Sequence, residues 1–177
     1  EDPELNGYLA LVRAVNGQLR EARSAAKVAE TVSSGRFLTR LAESILRRKS
    51  GDTTGAVLMA REAVEIDPRH PYAWNVLGRA LLDSRDRTQA LASFRRAVEL
   101  SDAFYPGHLN LGALLLQTGE SDQAVVAFSK AVELEPRSVD PRYGLAVALE
   151  SLGEAGNALA TVREGVRLRP ESPVLLS

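Results

Sequence analysis

The sequence predicts an all-α protein, a stack of about five helical hairpins. Three features carry that expectation: a 34-residue period, a glycine–acid pair recurring at one point of it, and prolines where helices should start and stop. Trp74, Leu77, Gly78, Ala90, Phe94 and Ala97 return one period later as His108, Leu111, Gly112, Ala124, Phe128 and Ala131. A further period gives Arg142, Leu145, Ala146, Ala158, Val162 and Gly165, and backwards the alanines run through Ala56, Ala60 and Ala63 to Ala22, Ala26 and Ala29. Gly17, Gly51, Gly119 and Gly153 share one position, with Arg85 in the remaining copy. The next residue is Asp52, Asp86, Glu120 or Glu154, with Gln18 as the exception. Glycine lets the chain turn with φ above zero, and an acid at the start of a helix meets the positive end of its dipole. Gly78, Gly112 and Ala146 leave room for helices to approach closely, and Phe94 and Phe128 fill the space between hairpins. Pro68, Pro136 and Pro170 stop helices, with Asp102 at that position in copy 71–104, while Pro3, Pro71 and Pro173 suit first helical turns.

With these residues in place the sequence resembles the tetratricopeptide repeat family, whose pattern is W-x2-L-G-x2-Y, then A-x3-F, then P. Copies 71–104 and 105–138 match it well, with Leu81 where tyrosine is usual and His108 in the tryptophan place. Copy 139–172 is weaker. Copy 37–70 puts Arg40, Glu43, Ser44 and Arg47 at positions that should be apolar. Its first helix is therefore expected to be shifted, starting two residues early so that Leu38, Leu41, Ala42 and Ile45 form the stripe, with a longer turn after it. Copy 3–36 is degenerate. The spacing of Leu5, Tyr8, Val12, Val15, Leu19, Ala22, Ala26 and Ala29 fits one long helix, but Asn16-Gly17 is a turn signal on the period and favours a hairpin. Residues 173–177 read as the start of a truncated next helix, and the chain as one domain over 1–177. The resemblance implies a right-handed α-solenoid in which each hairpin touches only its neighbours.

In that family the first helix of each hairpin lines the concave face. Carried over residue by residue, the resemblance implicates Thr39 and Glu43, then Asn75, Arg79 and Asp83, then Leu109, Ala113 and Leu116, and finally Tyr143, Val147 and Glu150 as partner-binding residues. The amino-terminal half of this face is polar and the carboxy-terminal half apolar, which suits an extended peptide or amphipathic helix of a partner protein. The competing reading is that Leu109, Ala113 and Val147 only pack internally. Co-chaperones of the family that grip a terminal carboxylate carry lysine, asparagine and arginine on three successive hairpins. Here Asn75 and Arg79 sit on one hairpin, and Leu109, Ala113, Tyr143 and Val147 replace the polar groups on the next two.

Composition narrows the function classes. Of 177 residues, 45% are apolar and 25% charged, the balance of a globular protein. The 22 basic and 23 acidic side chains nearly cancel, so no whole-chain field draws the protein to nucleic acid. No run reaches the roughly 20 apolar residues of a membrane span. Without cysteine there is no thiolate chemistry, and cytoplasm and periplasm fit equally well; the chain begins at Glu1, so a targeting segment would already be gone. His70 and His108 fall in a linker and in a core position, so no metal is expected. Ser50, Ser84 and Thr118, like Glu65, Glu99 and Glu133, repeat with the period; catalysis needs convergent unlike groups, so neither an enzymatic role nor a cofactor is expected. Arg47, Arg48 and Lys49 read as a solvated turn, with a phosphate or headgroup contact as the alternative, and Trp74 as core. The expected role is a non-catalytic scaffold. Its rivals are a self-assembling unit that uses its terminal edges, above all the uncapped carboxy-terminal edge around Leu159, Val162, Leu175 and Leu176, or the recruiting arm of a larger enzyme.

Overall fold

The computed structural model describes residues 2–29 and 33–168, and among the described residues there are ten α-helices and no strand. The chain packs as two compact units, Glu1–Leu100 and Ser101–Ser177. The first holds α1 (Pro3–Val15), α2 (Leu19–Ala29), α3 (Ser33–Lys49), α4 (Thr53–Ile66), α5 (Pro71–Asp83) and α6 (Arg87–Leu100). The second holds α7 (Tyr105–Gln117), α8 (Ser121–Leu134), α9 (Asp140–Ser151) and α10 (Ala155–Leu168). Successive helices pair as hairpins, and inside each unit the first helices are also neighbours, α1 beside α3, α3 beside α5, and α7 beside α9.

The five turns share one geometry. Gly17, Gly51, Arg85, Gly119 and Gly153 all have φ between 65° and 83°. The amide after each of them donates back five residues, as in Asp52 to the Arg47 carbonyl (2.9 Å), Asp86 to Leu81 (2.9 Å) and Glu120 to Leu115 (2.9 Å), while the left-handed residue itself donates back three. This cap satisfies carbonyls that the ending helix leaves without partners. The acid then opens the next helix. Asp52 and Asp86 accept the backbone amides of Gly55 and Gln89 at 2.9 and 3.0 Å, whereas the longer Glu120 and Glu154 accept the side-chain amides of Gln123 and Asn157. The Gly55 amide, and after it the Arg47 guanidinium, hold the Asp52 carboxyl below its ordinary pKa.

Between paired helices, glycine notches receive aromatic rings. A Cβ on Gly78 would lie 2.5 Å from the ring of Phe94, which is fully buried. Phe128 fits two notches at once: a Cβ on Gly112 would lie 2.9 Å from it, and one on Gly144 of the following hairpin 2.4 Å. The position written as tryptophan in the repeat pattern has a second duty. Trp74 Nε1 donates to the Pro68 carbonyl (2.9 Å), His108 Nε2 bonds the Asp102 carbonyl (3.0 Å), and Arg142 Nη1 donates to the Ser138 carbonyl (2.8 Å). Three unlike side chains thus tie the linker ahead of their own helix.

The amino-terminal hairpins depart in part from the sequence reading. The turn at Gly17 separates α1 from α2, and the three-four spacing serves two purposes: Leu5, Tyr8, Val12 and Val15 stay about half exposed on α1, while Ala22, Ala26 and Ala29 are buried on α2. The turn after α3 is no longer than the others, because Gly51 holds the common geometry, and α3 instead extends at its start. Its register is unshifted. Ser44, at the period position of Gly78, is fully buried and donates to the Ala56 carbonyl (2.9 Å), and Arg40 pairs with Glu62 (2.6 Å) and Glu43 (3.2 Å). At the other end, Leu159 is half exposed and Val162 packs against Ala146, Leu149 and Ala158; Leu175, Leu176 and the helix start expected over 173–177 lie outside the described residues.

Two stability outcomes follow from these contacts. A side chain in the left-handed region costs about 1–2 kcal/mol, and the extra freedom of glycine in the unfolded chain returns roughly 0.5–1 of that. Arg85→Gly should therefore raise the unfolding free energy by about 0.5–1 kcal/mol in urea melts, and a loss would show that Arg85 is not strained. Gly78→Ala gains about 1 kcal/mol in helix propensity but drives a methyl into the immobile Phe94 ring, an overpacking cost of about 1–3 kcal/mol. It should destabilise the protein, and Phe94→Leu in the same chain should recover part of the loss in a double-mutant cycle.

Candidate functional site

In the first unit α1, α3 and α5 enclose a cleft of about 190 Å³, lined by Val15, Ile45, Arg48, Lys49, Tyr72, Asn75, Val76 and Arg79. Residues 72, 75, 76 and 79 share one face of α5 because three- and four-residue steps return to the same side of a helix. Arg48 and Lys49 come from the last turn of α3, where the negative end of the helix dipole favours cations. Lys49 Nζ reaches across to the Val15 carbonyl at the end of α1, and Arg48 Nη1 pairs with Asp83 Oδ2 at 3.1 Å. Arg79 is exposed and makes no hydrogen bond or ion pair among the described residues. Burial, and then the neighbouring Arg79 cation, pull the Arg48 guanidinium below its ordinary pKa. Burial raises the Tyr72 phenol above its ordinary pKa.

Two of the residues expected on this face are not on it. Thr39 is fully buried and donates to the Ala26 carbonyl of α2 (3.3 Å). Glu43 pairs with Arg40 and borders a separate shallow depression with Arg23, Leu46, Arg47, Ser50 and Asp52. Both expectations assumed a shifted α3; in the register that α3 adopts, the residues one period before Asn75 and Arg79 are Leu41 and Ile45. Asn75 is itself only 3% exposed, so it meets the cleft as a wall rather than as an open surface. Tyr72 was missed, and Arg48 and Lys49 read first as a solvated turn, with a phosphate or headgroup contact as the alternative. The available signal was charge at Arg48, where the next two copies carry Leu82 and Leu116.

The second unit presents a different face. On α7 Ala113 is exposed and Leu109 and Leu116 are half-buried; on the adjacent α9 Tyr143 is 45% exposed, Val147 half-buried and Glu150 exposed. Residues 109, 113 and 116, like 143, 147 and 150, recur at four- and three-residue steps, so each set shares one helix face, and this register makes a mostly apolar strip with an acid at one end. Elsewhere in this unit Lys130 bridges Asp102 (2.9 Å) and Glu133 (3.2 Å), and its hydrogen bond holds the Asp102 carboxyl below its ordinary pKa. Among the described residues no three side chains converge as metal ligands, and no helix is long and apolar enough to cross a membrane.

A tetratricopeptide repeat model matches residues 41–107 and 109–173. No curated protein matches the sequence. Among solved structures, one of MamA is similar with a TM-score of 0.76 and 19% identity, over 92% of this chain and 95% of that one. YrrB, described as a TPR protein with an unusual peptide-binding site, gives 0.73 and 20% over 94% of this chain and 86% of that one. A thermophilic TPR protein of Thermus thermophilus gives 0.73 and 20% over 99% and 95%. At these identities the likeness is one of fold.

The cation crowding in the cleft has a measurable cost. Arg79→Met should leave the urea midpoint unchanged or raise stability by up to about 0.5 kcal/mol, while Asp83→Ala, which strips Arg48 of its carboxylate, should lower it by about 0.5–1 kcal/mol. Equal destabilisation by the two variants would show that Arg79 has a structural partner.

Proposed function

The chain belongs to the tetratricopeptide repeat family, a helical-hairpin scaffold for protein–protein interaction, and from that premise we propose that it binds a peptide or helix of a partner protein along the faces of its first helices. The observation that carries this reading is the apolar strip on α7 and α9, where Tyr143 keeps 45% of its surface in water although the unit has a core available to it. Leu109, Ala113, Leu116 and Val147 extend the strip, and Glu150 closes it with charge. A partner segment that lays apolar anchors on this strip removes them from water, while in the first unit Arg79 and Asp83 offer polar contacts. The candidate contacts are Arg79, Asp83 and the cleft-wall Asn75 in the first unit and, separately, Leu109, Ala113, Leu116, Tyr143, Val147 and Glu150 in the second. The peptide-binding site described for YrrB belongs to that protein, but it illustrates what the shared fold can hold.

A second reading has its own observation. Leu5, Tyr8, Val12 and Val15 form an exposed row on α1, and Leu159 is half exposed on α10, as edges that meet another copy would be. Sedimentation over a wide dilution series separates the two, since self-assembly through these edges requires a mass that rises with concentration.

The binding surface is tested by capture of partners on the immobilised chain, repeated with Leu109→Glu combined with Tyr143→Glu. Losing apolar anchors at the centre of an interface typically weakens binding by about 2 kcal/mol or more, so about thirtyfold or greater loss is expected with an unchanged circular dichroism spectrum. Undiminished capture by the folded variant moves the partner off this strip.

A further inference from the structure

We propose that the cleft between α1, α3 and α5 receives a phosphorylated side chain of the partner segment. The inference rests on the reading of the chain as a peptide-binding scaffold and specifies the chemistry of one subsite.

Size, charge and donor type point the same way. At about 190 Å³ the cleft is smaller than the roughly 300–1,000 Å³ of small-molecule sites, so it suits one side chain rather than a whole ligand. Arg48, Lys49 and Arg79 bring three cations to it, and Asp83 is the carboxylate paired with Arg48, which leaves a net charge of plus two. A phosphate monoester carries about −1.5 to −2 near neutral pH and matches that charge, whereas a single carboxylate neutralises only half of it. The concentration of charge is local, because the whole chain carries a net charge of −1.

The donors are of the right kind. Guanidinium groups offer parallel N–H donors that fit phosphate oxygens, and Arg79 holds its own without a partner among the described residues. Tyr72 and Asn75 line the same wall, and Val15, Ile45 and Val76 supply apolar contact for the carbon stem that bears the phosphate. The cations come from two hairpins, Arg48 and Lys49 from α3 and Arg79 from α5, so the subsite exists only when these hairpins stack.

The test uses the whole chain and three immobilised degenerate peptide libraries that differ at one central residue: phosphoserine, serine or glutamate. Vesicles containing phosphatidylserine form a fourth arm. The expected result is at least about tenfold preference for the phosphoserine library over both others, lost in Arg79→Ala, partly kept in Arg79→Lys and weakened by added salt. Equal binding of the glutamate or serine library, binding to vesicles alone, or an Arg79→Ala variant that keeps the preference would each overturn the proposal. Arg79 is exposed, so its variants should stay folded, and matching circular dichroism melts verify this. Failure here is separable from failure of the scaffold reading. A partner whose capture survives phosphatase treatment and Arg79→Ala but not the Leu109–Tyr143 double variant leaves the scaffold intact and removes the phosphate.

Discussion

Reversing a helix in three residues without stranding its last carbonyls is the constraint on which this structure depends. A left-handed residue at every thirty-fourth position meets it, and the next amide reaches back five residues to close the helix end. Because the turn is fixed, the angular phase of the second helix against the first is fixed too, and Phe94 and Phe128 arrive opposite glycine notches rather than backbone crowded by Cβ atoms. The notches let α5 close on α6, and let α8 close on both α7 and α9, and within each unit the first helices are neighbours as well. Without that adjacency, Arg48 and Arg79 would not share a cleft, nor would Leu109 and Tyr143 share a strip.

The period was legible because each of its residues answers a local need that chemistry alone dictates: positive φ, an acid at a helix start, a small residue in a notch. The register of α3 was harder to read. Thr39 and Ser44 look like surface residues in a sequence, yet both are buried because each hydroxyl meets a carbonyl of a neighbouring helix, Ala26 for one and Ala56 for the other. That satisfaction is a property of a packed pair and leaves no trace in spacing. The same holds for the tryptophan position, where indole, imidazole and guanidinium reach a linker carbonyl with one ring or guanidine nitrogen each. His108 looked like a substitution of the pattern, and the bond to Asp102 shows what the position asks of its occupant. Gly144 escaped notice because it lies off the repeated glycine position, and its role exists only through the ring of the preceding hairpin.

The candidate site was legible in unequal measure. The apolar residues of α7 and α9 followed from the repeat pattern, since their register is regular. The cationic cleft followed only in part: Arg48 and Lys49 read as a solvated turn, with a phosphate or headgroup contact as the alternative, and Arg79 joins them only once α5 is laid beside α3. Energetically the two surfaces differ. The strip on the second unit leaves apolar area in water at a cost of about 25 cal/mol per Å², whereas the cleft holds two guanidinium groups near each other with one carboxylate between the hairpins. In the cleft only the Arg48–Asp83 pair ties the hairpins together, while Arg79 adds a cation that no carboxylate among the described residues offsets.

The bond from Trp74 to the Pro68 carbonyl also has an optical consequence. This indole is the chain's only one, so emission excited selectively at indole reports on the junction of α4 and α5 in the first unit. Far-ultraviolet ellipticity, by contrast, averages over every helix of the chain. Any gap between the two signals on heating measures directly how far Glu1–Leu100 and Ser101–Ser177 melt as one cooperative body.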